Sequence, residues 1–107
     1  MKNIEIQIQK DHRNVCITQF ITALIRLPDI KTIKIHKGPK NHKYVNISIP
    51  VRSIRKTWNV LRPKIRKDPV LSRTSIVVGE GKHGWDDYEL MYHWDADEID
   101  KKWRKIV

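Results

Sequence analysis

Residues 3–9 read NIEIQIQ, with isoleucine at 4, 6 and 8 and polar side chains between them. A repeat of two fits a pleated strand with one buried face and does not fit a helix. The pattern returns at 44–51, YVNISIPV, where Val45, Ile47, Ile49 and Val51 alternate with Tyr44, Asn46, Ser48 and Pro50. Strands with one apolar face need a covering layer, which must come from the rest of the chain.

Helical spacing supplies it in two places. After Asn14, a plausible N-cap, Cys16, Phe20, Ala23, Leu24 and Leu27 recur on one side, and Pro28 ends the run. Ser53 can cap a second helix in which Ile54, Trp58, Leu61 and Ile65 share a narrow arc. Pro63 removes a helical hydrogen bond, so a kink or an end is expected near Leu61 and Arg62.

The remaining elements are shorter. Ile33 and Ile35 mark a strand, followed by the turn-forming HKGPKNHK at 36–43. SIVVGEG at 75–81 gives a strand running into a glycine-rich hairpin turn. Tyr88, Leu90, Tyr92 and Trp94 alternate with Glu89, Met91 and His93, predicting a fifth strand whose aromatic side is expected in the core, the alternative being an exposed stacking platform. DADEIDKKWRKIV predicts a short last helix with Ile99, Trp103 and Ile106 on one side. Asp95 and Glu98 stand at capping-box spacing before it.

The predicted class is therefore α+β: a two-layer sandwich in the ferredoxin-like βαββαβ order, extended by a C-terminal strand and short helix. At 107 residues the whole chain, 1–107, is expected to form one domain.

Charge is the most informative functional signal. The formal net charge is +10. Between Ile30 and Lys67 there is no Asp or Glu, while Lys31, Lys34, Lys37, Lys40 and Lys43 are followed by Arg52, Arg55, Lys56, Arg62, Lys64, Arg66 and Lys67. A face kept charged only for solubility normally mixes signs. An unmixed tract retains its self-repulsion until a polyanion relieves it. The expected site is Lys37, Lys40 and Lys43 in the loop with Arg52, Arg55, Lys56, Arg62, Arg66 and Lys67 by the second helix. The expected ligand is nucleic acid, DNA or RNA, held by its phosphates. The alternative is a protein-interaction module that meets an acidic protein with the same patch, or forms a homodimer through the apolar first helix or Trp85. Trp85 is expected at a turn tip as a partner contact.

Enzymatic signals are weaker. Asp87 and Glu89 would share one strand face and could hold a divalent metal for phosphodiester cleavage, but the sequence places no third ligand. The five histidines form no zinc pattern, and GEGKHG lacks phosphate-loop spacing. No cofactor is expected. The single Cys16 forms no internal disulfide and fits a reducing compartment. Without a secretory signal or a long apolar run, the expectation is a cytoplasmic protein away from the membrane.

Overall fold

A computed structural model describes residues 2–9, 14–27, 30, 32–37, 44–69, 71–81 and 84–104, with backbone alone at 14–18, 37, 81 and 84–86. Its elements run β1 (Lys2–Gln9), α1 (Asn14–Ile25), β2 (Lys34–Lys37), β3 (Tyr44–Val51), α2 (Ile54–Lys67), α3 (Leu71–Thr74), β4 (Ser75–Gly81), β5 (Gly84–Tyr92), a 3-10 turn (Ala96–Glu98) and α4 (Lys101–Arg104). The class is α+β. The five strands form one antiparallel sheet in the order β2-β3-β1-β4-β5, which differs from their order in the chain.

The period-two pattern puts β1 at the centre. Ile4, Ile6 and Ile8 lie opposite Ile49, Ile47 and Val45 of β3, and all six are buried. On the other side Ile6 meets Val77 of β4. β-branched residues suit such pairs, because their stiff side chains pack well on the pleat. The alternate residues Asn3, Glu5, Gln7 and Gln9 are only half-buried and form the opposite face.

Both expected helices cover the apolar face. Phe20 and Leu24 of α1 join the same core cluster as Ile54, Trp58, Leu61 and Ile65 of α2. Ser53 caps α2 as expected: its hydroxyl accepts from the Lys56 amide at 3.3 Å. Pro63 does not end the helix, which runs on to Lys67. Pro63 and Asn59 are both exposed, so the Asn59 carbonyl that loses its helical donor faces water.

A further turn of helix, α3, stands between α2 and β4. Asp68 helps start it: its Oδ1 accepts from the amide of Leu71, the first residue of α3, at 3.0 Å, and Pro69 stands in the turn before it. The predicted last helix is divided. Asp95 caps only the 3-10 turn, accepting from the Asp97 amide, and α4 begins after Asp100. Trp103 and Ile99 pack inward as expected.

The largest departure is in β5. Val77 pairs with Tyr92 and Val78 with Leu90, so Met91 is an extra residue, a bulge. Met91 is buried, whereas Tyr88 and Trp94 are 50% and 45% exposed. The side predicted as core is therefore split: Tyr92 packs against the core and Tyr88 points away. Gly79 makes room for this bulge. A Cβ there would lie 2.6 Å from the Met91 sulfur and 3.3 Å from Ile54 Cγ2.

The outer edge of β5 is clasped at Leu90. Its amide donates to Asp100 Oδ2 at 2.6 Å, and its carbonyl accepts from the Asp100 amide at 3.0 Å. Among the described residues no helix is long and apolar enough to cross a membrane.

Candidate functional site

The predicted basic residues divide into three groups. Lys40 and Lys43 lie outside the described residues, as does the side chain of Lys37 at the end of β2. Arg52, Arg55, Lys56, Lys64, Arg66 and Lys67 are exposed on or next to α2. Arg62 is half-buried. Among the described residues none of these side chains has a carboxylate within 4 Å; the ion pair found there joins Lys102 to Glu89.

Helix geometry separates the cations on α2. Arg55 sits with its guanidinium carbon 5.8 Å from the Trp103 ring centroid, a cation–π distance. Arg62 and Arg66, two and three turns further along, line a groove of about 360 Å³. Tyr92, His93 and Trp94 line it too, with Asp97, Ile99 and Arg104. Arg104 is committed to the fold, since its side chain donates to the Ile99 and Asp97 carbonyls.

Arg62 and Arg66 repel one another across one turn. The Arg62 guanidinium is held below its ordinary range, first by burial and then by the Arg66 charge. Tyr92 is pushed the opposite way. Burial raises its phenol above the usual value, against the pull of Arg66 and Arg62. The neutral hydroxyl donates to the Ser72 carbonyl at 2.7 Å.

This gives a pH prediction. The folded protein keeps the Tyr92 proton at a pH where the unfolded chain has lost it. The associated stability is complete below about pH 10 and is lost as pH rises through the folded value. Tyr92→Phe should lose about 1 kcal/mol at neutral pH with the hydrogen bond. It should also show a shallower alkaline decline than wild type, measured by urea unfolding at about pH 8 and pH 11. A parallel decline in the two proteins would reject the assignment.

The metal candidates have other surroundings. Glu89 Oε2 accepts from Trp103 Nε1 at 2.7 Å and Oε1 from Lys102 Nζ at 3.0 Å. Asp87 is half-buried. Among the described residues no three His, Cys, Asp or Glu side chains are grouped to hold a metal ion. Trp85, expected at a turn tip, lies in strand β5, and its side chain is outside the described residues.

Of the two bonds to Glu89, the indole bond carries more stability. Trp103 is 4% exposed, so its N–H has no ready access to water. The Lys102 side chain is 55% exposed, and a surface ion pair of that kind is worth little. Glu89→Ala should therefore cost about 2 kcal/mol in urea unfolding, because it orphans a buried donor. Glu89→Gln, which keeps an acceptor, should cost clearly less. Equal losses would show that the ion pair matters more.

Sequence reading found the α2 half of the groove and missed the other half. His93 and Trp94 follow the β5 bulge; Trp94, expected in the core, is exposed, as in the alternative reading of this strand. The chain matches no protein-family model, no curated protein and no solved structure at a significant level.

Proposed function

We propose that this chain is a non-catalytic nucleic-acid-binding protein that holds the phosphate backbone with the cations of α2 and its flanks. One observation carries the reading: Arg52, Arg55, Lys56, Arg62, Lys64, Arg66 and Lys67 have no carboxylate partner within 4 Å among the described residues. Uncompensated cations on one helix repel, and polyanion binding turns that repulsion into affinity by releasing condensed counterions. Arginine adds forked donors matched to phosphate oxygens. Lys37, Lys40 and Lys43 would extend the patch.

The ferredoxin-like description of β1, α1, β2, β3, α2 and β4, with α3 inserted before β4, is part of the same proposal. It is supported by β1 standing between β3 and β4, antiparallel to both. That arrangement alone carries no function.

The test is a titration of wild type with mixed-sequence DNA and RNA at low and moderate salt. Binding that weakens steeply with salt supports the proposal. No binding at low salt, or binding indifferent to salt, rejects it and turns attention to an acidic protein partner.

A further inference from the structure

The groove beside β5 places two unfavourable features next to each other. One is the Arg62–Arg66 pair, like charges one helical turn apart with no carboxylate within 4 Å among the described residues. The other is Trp94, 45% exposed although indole is among the side chains that gain most from burial. The His93 ring lies 4.1 Å from the Trp94 ring, tilted by 35°, which widens the aromatic surface. A single ligand relieves both features if it is anionic at one end and flat at the other. Asp97 also lines the groove, but it is exposed, where solvent screens its charge, and its carboxylate is not within 4 Å of Arg62 or Arg66.

The geometry points to a nucleotide subsite in which Arg62 and Arg66 hold the phosphate of an unpaired nucleotide whose base stacks on Trp94. This rests on the phosphate-backbone reading above and narrows it to single strands. A groove of about 360 Å³ falls within the small end of ligand-pocket sizes. A duplex keeps its base faces stacked inside and has no face to offer an indole at a groove rim. A single strand offers one with every nucleotide, and stacking on an aromatic ring tolerates any base. Burial of Arg62 supports the same assignment, since a partly desolvated guanidinium binds phosphate with less competition from water.

The experiment compares a short single-stranded oligonucleotide with a hairpin duplex of equal length at low salt. Anisotropy is measured with wild type, Trp94→Ala, Trp94→Phe and Arg52→Ala/Lys56→Ala, the last pair lying outside the groove lining. Trp94→Ala should lose about 5- to 150-fold on the single strand, the range expected for one stacked base, and under about twofold on the duplex. Trp94→Phe, which keeps a ring, should retain most of the affinity. The Arg52/Lys56 variant should weaken both ligands. If it does so while Trp94→Ala changes neither, or changes both alike, the subsite is overturned and the backbone reading survives. If wild type binds neither ligand, both fall. Displacement of the single strand by an equal charge concentration of polyglutamate would also overturn the subsite, because the aromatic wall would then add nothing.

Discussion

Trp58→Ala is expected to lower the unfolding free energy by about 3–5 kcal/mol, the range for deleting a large buried aromatic side chain. Trp58 is fully buried on α2, and its ring centroid stands 6.4 Å from that of Tyr92. It belongs to the same core cluster as Ile4, Ile6 and Ile8 on the central strand, so its loss opens a cavity among residues that define the sheet. Whole-domain stabilities are about 5–15 kcal/mol, and the change would consume much of that. The measurement is urea unfolding followed by circular dichroism. A loss under about 1 kcal/mol would mean that α2 does not pack on the sheet as described. Trp58 has one weakness: among the described residues its indole N–H has no hydrogen-bond partner. Trp58→Phe keeps a ring and removes that buried donor, so it should cost much less than alanine.

The second large effect concerns affinity. If about six phosphates are contacted, wild-type binding should fall roughly a thousandfold between 50 and 200 mM salt. Arg55→Ala/Arg62→Ala/Arg66→Ala removes three of the contacts. The slope of log affinity against log salt should then shrink by about 2 to 3 units, and the low-salt affinity should drop with it. Arg55 and Arg66 are exposed and Arg62 is half-buried, so the triple variant should keep its fold. Its thermal melt provides the control. An unchanged slope would remove these three arginines from the interface and shift attention to Arg52, Lys37, Lys40 and Lys43.

The strands with strict alternation were legible because packing demands it. Each buried isoleucine of β1 faces a buried β-branched residue of β3, and a shift by one residue would turn every one of them outward. The arc of α2 was legible for the same reason at a period of 3.6. The β5 bulge was not, because it depends on how β5 aligns with β4 across the sheet. No periodicity within β5 alone encodes it, so alternation could not decide between a core and an exposed place for Trp94. The α3 turn did leave a signal, an aspartate followed by proline, which is the usual order for a cap and a first helical position. Pro63 does not end α2, and the side of the helix it occupies, which the local sequence leaves open, is exposed. The groove joins residues of α2 to residues some thirty positions later, a proximity that requires the folded sheet.

The clasp between Asp100 and Leu90 also bears on the chain's behaviour in crowded solution. An open sheet ends in two rows of free amides and carbonyls, each a template for another strand. At β5 that template is interrupted by the chain's own C-terminal turn, which uses both backbone groups of Leu90. At β2 the strand is only four residues long and has lysine at both ends. One margin is stoppered by backbone and the other is guarded by charge, so strand-on-strand polymerisation is resisted at each end by different physics. Salt screens the lysine charge and leaves the clasp largely untouched, so the two margins differ in how they answer to ionic strength.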